Sequence, residues 1–523
     1  MLRYFIRIVL AVLGSGLLLG WIPVANGQVD WGTSEYELLF SVPVGGSGPG
    51  YEIQPEEAAL GPTGLAVGGD GSIWIADSVG KRVLQYSSDG KSMGSIDLSG
   101  QVAAVADIAL QGSQLAILDV APVPAKVILV DTGSHVVTAS IAVPEKFGLG
   151  AGLSGVGLSA TGGILVEMEG GARVAVLAKD GVLEDVIPGY PVGDQVFSVD
   201  QFAANGQSSV AEVRLGQVSF QVEVSQTLGG VYFLGMDGEK LVILVEEVGQ
   251  RTDGTIYVDQ TVRRYAASGA LMGAGRVPIG ERYTFVSNGV VTGPAGDLLA
   301  LVPRPDRVDV VRVNLFEEIP GVLPPPPTFS LAGTAPGTAS PAACRSRKDM
   351  DLVVAAYFSN SKYLNNTNIN GTCALRDKPR YLGDPGTYPS VPYDWNGWDL
   401  PGTFNSKMDN GKQAGDITSP SDGTCSRGTD CSGFISRIWG LSSHVYTEGI
   451  PNISYVIGIN HMIHGDVFNK SGSHVAAFDY ASGSGGYYIE DSTTENAIDR
   501  VSFRWVSSSW TDKYTPRRYN NIC

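Results

Sequence analysis

Cysteine is missing from the first 343 residues of this 523-residue chain; all five, Cys344, Cys373, Cys425, Cys431 and Cys523, come after them. No disulfide can therefore staple the first two thirds. Charge is also scarce, at 17% of residues, against roughly 25% in an average soluble protein. Cations are the scarcer sign, and the net charge is −17. A chain this acidic repels phosphates, which excludes general nucleic-acid binding. The composition excludes a coiled coil. Five His and five Cys show no pair at the spacing of a metal-ligand set, so neither a metal nor a cofactor is expected. Beyond the first 27 residues no run of about 20 apolar residues occurs, so no transmembrane segment is expected after them.

Glycine, by contrast, is abundant at 68 residues, and apolar residues reach 43%. Many Gly and Asp-Gly pairs between short apolar runs point to β structure with tight turns. Residues 1–27 have Arg3 and Arg7 before an apolar stretch, then Ala25-Asn26-Gly27. That order reads as a secretory signal peptide cut before Gln28, giving a secreted or periplasmic protein. An oxidising compartment favours disulfides, and an odd cysteine count leaves one thiol over.

Residues 321–343 contain four consecutive prolines followed by Ala, Gly, Thr and Ser. Such a segment is a linker, partly polyproline II. It divides residues 28–320 from 344–523. Acidity is uneven: 28–343 holds 35 Asp and Glu against 17 Lys and Arg, whereas 344–523 holds 18 against 17. Few contacts are expected to cross the linker, so the halves should behave independently.

The first half repeats at a period near 40. The clearest unit, Gly61 to Leu98, has apolar runs at Leu65–Val67, Ile73–Ala76 and Val83–Tyr86, split by Gly-Asp-Gly and Asp-Gly turns. That is the pattern of one four-stranded propeller blade. Weaker units follow at 102–143, 153–188, 197–224, 230–278 and 285–316. Six blades are favoured over seven, and Tyr36–Val42 is placed to supply a strand that closes the ring. The first unit, with Pro-x-Gly-Leu-Ala-Val, Asp-Gly, Ile-Trp-Ile-Ala-Asp and Arg-Val, resembles an NHL repeat. This half has one His and no Cys, so it is read as a binding or targeting element for a protein or glycan.

Chemistry concentrates in the second half. In Gly428-Thr-Asp-Cys-Ser-Gly-Phe-Ile-Ser-Arg-Ile-Trp-Gly440, Phe434, Ile435, Ile438 and Trp439 fall on one helical face. Thr429 or Asp430 can cap the helix, and Gly440 can end it. Cys431 then lies in the first turn, where free N–H groups and the helix dipole favour a thiolate. A thiolate needs a base, and His474 begins a strand in Gly472-Ser-His-Val-Ala-Ala-Phe. The next strand offers Glu490 to orient the ring. Asp491 is the alternative, pointing to the opposite face.

Asp-Cys-Ser-Gly-Phe at a helix start, followed by Gly-Asp-Val-Phe and Gly-Ser-His-Val on strands, resembles the NlpC-type cell-wall cysteine peptidases. Val391-Pro-Tyr-Asp-Trp-Asn-Gly397 resembles that family's Pro-Tyr-x-Trp-Gly-Gly segment. The resemblance spans about 345–520. It implies a papain-like α+β fold, a Cys431–His474–Glu490 triad, Tyr393 beside the nucleophile in support of the oxyanion, and cleavage of amide bonds in peptidoglycan stem peptides. The third residue differs from the His common in the family, His464 replaces a common Pro, and residues 399–428 are inserted. The expectation is thus an all-β propeller followed by a papain-like hydrolase. A hydrolase of another amide, or a non-catalytic adhesion or scaffold protein, is the alternative. With Cys431 set apart as nucleophile, the remaining cysteines are expected to pair as Cys344–Cys523, at the domain ends, and Cys373–Cys425, around the insertion.

Overall fold

The structure is a computed structural model and describes residues 35–55, 57–144, 152–159, 161–200, 209–279, 282–317, 344–373, 376–418 and 425–523. The signal-peptide and linker readings, at 1–27 and 321–343, lie outside these residues.

Six four-stranded antiparallel sheets fill the first half. Five are built from consecutive strands: β2–β5 over 64–97, β6–β9 over 107–142, β10–β13 over 153–187, β14–β17 over 190–223 and β18–β21 over 227–277. The sixth combines β22 (Val290–Thr292), β23 (Leu298–Pro303) and β24 (Arg307–Val313) with β1 (Tyr36–Pro43). Tyr36 pairs with Val313 and Pro43 with Arg307, so the first strand completes the last blade. First strands of successive blades adjoin at β2 with β6, β6 with β10, β18 with β22 and β22 with β2, where Gly64 bridges Asn288 across the closure. These are the connections of a six-bladed β-propeller. The sheets form because apolar residues of neighbouring blades interlock. Ile75, Leu84 and Tyr86 pack with Leu301, Val308 and Val310, and Ala116, Leu118 and Leu129 pack with Ile164 and Val166. Asp77, after its strand, accepts from the Gly50 and Gly80 N–H groups and pairs with Arg82 at 2.8 Å. It is a structural lock.

The second half is mixed, and carries two short strand pairs, β25 (Ser361–Leu364) with β26 (Gly386–Pro389) and β27 (Gln413–Ala414) with β28 (Ser426–Arg427). Its six-stranded sheet runs β29 (Ser454–Val456), β34 (Thr515–Tyr519), β30 (Val467–Lys470), β31 (His474–Ala481), β32 (Tyr487–Thr493), β33 (Arg500–Val506). Four of the helices before and beside it are α1 (Arg347–Phe358), α2 (Asn366–Asn370), α3 (Pro401–Asp409) and α4 (Cys431–Ile438). One sheet face, with Val467, Val475, Ala477 and Val501, packs on α1 and α4 through Met350, Val354, Phe434, Ile435 and Ile438. Disulfides join Cys344 to Cys523 and Cys373 to Cys425, as the sequence suggested, and fit an oxidising compartment. No helix among the described residues is long and apolar enough to cross a membrane.

The halves are not independent. The other sheet face, with Phe468, Ala476, Phe478 and Ile489, forms one core with Val248, Ile256 and Val258 of the propeller. Backbone bonds cross as well: Ile256 N–H donates to Tyr514 O at 2.7 Å, and Gly230 bridges Gly485. The Tyr488 hydroxyl donates to Glu169 at 2.8 Å, and Arg500 to Ala121 O at 2.9 Å. A sheet with two apolar faces needs a cover on each, and the propeller supplies one. A cavity of about 450 Å³ lies at this junction, walled by Asp107, Glu167, Arg282 and Asn288 on one side and by Arg504 and Trp510 on the other.

Candidate active site

Helix α4 starts where the sequence placed it. Asp430 is its N-cap, in extended backbone, and its carboxylate accepts from the Gly433 N–H at 2.6 Å. Cys431 is therefore the first helical residue. The cap is held from the side: His444 Nε2 lies 2.8 Å from Ser432 Oγ and 3.2 Å from Asp430 Oδ1. His444 itself lies between Trp398 and Tyr446. Nothing in the residue spacing pointed to His444, because its role depends on a loop folding back on the helix start. Gly440, at φ +70°, takes the left-handed conformation that ends the helix. Among the cysteines Cys431 alone is outside a disulfide, and it is fully buried.

His474 opens β31, as expected, and is 1% exposed. Its Nε2 lies 3.1 Å from Asp491 Oδ2, not against Glu490. The register explains the correction. Ala477 pairs with Glu490, so Glu490 shares a sheet face with Ala477 and Val475, whereas His474 shares one with Asp491. Asp491 is further held by Arg504 at 2.7 Å and by the Ser502 hydroxyl at 3.0 Å. Burial alone would raise its carboxyl, but Arg504 and His474 hold it well below the usual carboxylate range. Arg504 also pairs with Glu495 at 2.5 Å, and Glu495 accepts from Trp510 Nε1. Trp510 and Tyr514 stand edge-on to the His474 ring.

One hydrogen bond ties the helix start to the strand that carries Asp491. Ser492, next to Asp491, donates its hydroxyl to Thr429 O at 2.6 Å, two residues before Cys431. With Nε2 facing Asp491, Nδ1 is the His474 nitrogen left for proton transfer.

Tyr393 is 1% exposed and close enough to Cys431 to feel a thiolate. Its hydroxyl has a partner across the junction. It donates to Glu57, a propeller residue. Burial first, then the charges of Glu52 and Asp499, push the Glu57 carboxyl well up. The segment carrying it lies along the site's rim: the Ser473 hydroxyl donates to Glu57 O at 2.8 Å, Trp395 Nε1 to Pro55 O at 3.3 Å, and Arg380 pairs with Glu52 at 3.4 Å. The junction cavity has neither Cys431 nor His474 in its wall.

Glu490 belongs to a different group. It meets His464 and Asp479 on the opposite side of the strand pair. Burial raises Glu490 to about 8, and the hydrogen bond to Asp479 raises His464 to about 9.

No known family's sequence profile matches the chain. No curated protein matches it either. Among solved structures, similarity extends to Kuenenia stuttgartiensis hydrazine synthase at 16% identity over 46% of this chain and 72% of that one, with a TM-score of 0.31. Virginiamycin B lyase of Staphylococcus aureus shows 12% identity over 48% and 95%, at 0.29. An exported protein of Bacteroides fragilis shows 10% over 55% and 98%, at 0.32. Scores this low carry nothing about function, and the propeller stands on its strand order.

Proposed function

We propose that the protein is an extracytoplasmic cysteine hydrolase of the NlpC type, acting on amide bonds of peptidoglycan stem peptides. The supporting observation is the His474–Asp491 pair at 3.1 Å, on a strand tied to the start of the helix whose first residue is Cys431, the cysteine outside both disulfides. In this reading His474 Nδ1 takes the Cys431 proton and the sulfur attacks the amide carbon. The oxyanion is met by N–H groups of the first helical turn. His474 then returns the proton to the leaving amine, and water, deprotonated by His474, cleaves the thioester. Asp491 fixes the ring tautomer and stabilises the imidazolium.

Cys431 and His474 are closed off from solvent, and the propeller segment carrying Glu52, Pro55 and Glu57 covers their rim. Substrate entry then requires that segment to lift, which makes the propeller part of substrate selection. The experiment is digestion of purified cell wall by the full chain and by Cys431→Ala, with released peptides identified by mass spectrometry. Peptides released by the first and not the second support the reading. Release from a protein or other amide instead would keep the chemistry and move the substrate.

The closed rim also favours a second reading, a scaffold whose cleft never opens. In that case an iodoacetamide-type probe leaves Cys431 unlabelled in the folded protein, even with cell wall present.

A further inference from the structure

We propose that His464, Asp479 and Glu490 bind one divalent ion of the zinc or manganese class, on the face of β31 and β32 opposite to His474. One ligand atom from each of the three lies within 4.8 Å of the others. The strand pairing shifts between Phe478 and Tyr480, at Asp479, which brings this carboxylate beside Glu490. His464 Nδ1 lies 2.7 Å from Asp479 Oδ1, while Nε2 lies 2.5 Å from Asp351 Oδ1 on α1. A metal-binding imidazole turns one nitrogen to the ligand cluster and the other toward an outer carboxylate; here Nε2 approaches Asp351 without a hydrogen bond.

Glu490 is the observation that asks for a ligand. It is 5% exposed, and its Oε2 has no hydrogen-bond partner. A buried carboxylate without a partner is costly and calls for a cation or a proton. Three carboxylates surround a single imidazole, so even a protonated His464 leaves negative charge in excess. The nearby guanidinium groups are committed elsewhere. Arg347 bonds the His464 carbonyl and pairs with Asp466 at 3.6 Å, and Arg518 pairs with Asp466 at 2.7 Å. One imidazole nitrogen with several carboxylate oxygens suits zinc or manganese better than calcium, which takes oxygen alone. His464, Asp479 and Glu490 lie far apart in sequence, so no motif spacing reveals them. The ion would tie α1, the loop before Gly465, β31 and β32 together. It would touch no reacting atom, but would stiffen the strand whose next residue, Asp491, holds His474.

The test uses the full chain with its disulfides, stripped by EDTA, in the Cys431→Ala background so that no thiol competes. Zinc chloride is titrated calorimetrically, bound metal is counted by elemental analysis, and cobalt substitution gives a visible spectrum of the site. One equivalent is expected. Glu490→Gln should weaken binding by at least about 100-fold, and Asp351→Asn by about 10-fold. The proposal is overturned if no equivalent binds, if Glu490→Gln binds as well as its parent, or if His474→Ala abolishes binding, which would move the ion to the catalytic pair. Should Glu490→Gln fail to fold, Asp351→Asn decides alone, since that side chain is more than half exposed; unchanged affinity there also overturns the proposal.

Discussion

On one face of the β31–β32 pair, His474 meets Asp491; on the other, His464 meets Asp479, Asp351 and Glu490. Both sites set an imidazole against carboxylates, yet their charge balance differs. Asp491 is answered by Arg504 and by the Ser502 hydroxyl of the adjoining strand. No arginine answers Glu490, and its Oε2 stays bare. The first face is complete from within the chain and therefore rigid. On the second, burial raises Glu490 to about 8, so it holds a proton at neutral pH, and that proton is what a cation would replace. A histidine beside an acid is thus not one kind of site; the third charge decides what the pair can do.

The sharpest break of this comparison is on the His474 face. Cys431→Ala and His474→Ala should each lower hydrolysis of cell-wall peptides by at least about 1,000-fold, with no further loss in the double variant, because the two act as a unit. Steady-state rates on the same wall preparation check this. Additive losses would mean that they do not work together.

Next in size is the stability of the two acids. Asp491→Asn strips Arg504 of a buried partner and should destabilise the fold by about 3 kcal/mol, read by urea denaturation. The sign with pH follows from its lowered carboxyl. The stabilisation is present above the unfolded carboxylate range, near pH 4, and is lost as pH falls further, so the two proteins should converge in strong acid. Glu490→Gln in metal-free protein breaks no hydrogen bond at Oε2 and should change stability by less than about 1 kcal/mol. Equal losses would erase the distinction between the faces.

A smaller effect tests the rim. Glu57→Ala removes the acceptor of Tyr393 and should raise the alkylation rate of Cys431 roughly 10-fold by favouring local opening. An unchanged rate, followed by mass spectrometry, would show that Glu57 does not hold the segment down.

The smallest expected change lies in the junction cavity. Burial, then the charge of Asp107, raises Glu167 to about 8, and burial raises Asp107 to about 7. Groups raised in the folded state stabilise it below their unfolded values, and that contribution fades as pH climbs through 7 and 8. Glu167→Gln should therefore raise Tm by about 2 °C at pH 8.5 and leave it unchanged at pH 4, as calorimetric scans would show.

Much of this was legible from residue order. The blades, the closing strand, the capped helix under Cys431 and the strand start at His474 all rest on local signals: turn residues, alternation and caps. Both disulfides followed from domain ends and an odd cysteine count. Residue order cannot separate Glu490 from Asp491, because adjacent strand residues are distinguishable only once the register is known, and that register includes a shift at Asp479. The junction was hidden for a different reason. Phe468, Phe478 and Ile489 look like any buried strand residues, and nothing local says that their cover comes from Val248 and Ile256, on the far side of a proline-rich segment. Tyr393 meets Glu57, some 330 residues away in sequence, and no pattern joins the two.

Closing the ring with β1 also sets an order of events. Tyr36 must wait for Val313, so more than half the chain has to emerge before the first strand finds its place. Loop closure on that scale is slow and leaves an unpaired strand exposed meanwhile. If the chain is exported unfolded, the wait is spent outside the membrane, and the propeller becomes the step that limits when its partner sheet can be covered and the rim over Cys431 and His474 assembled.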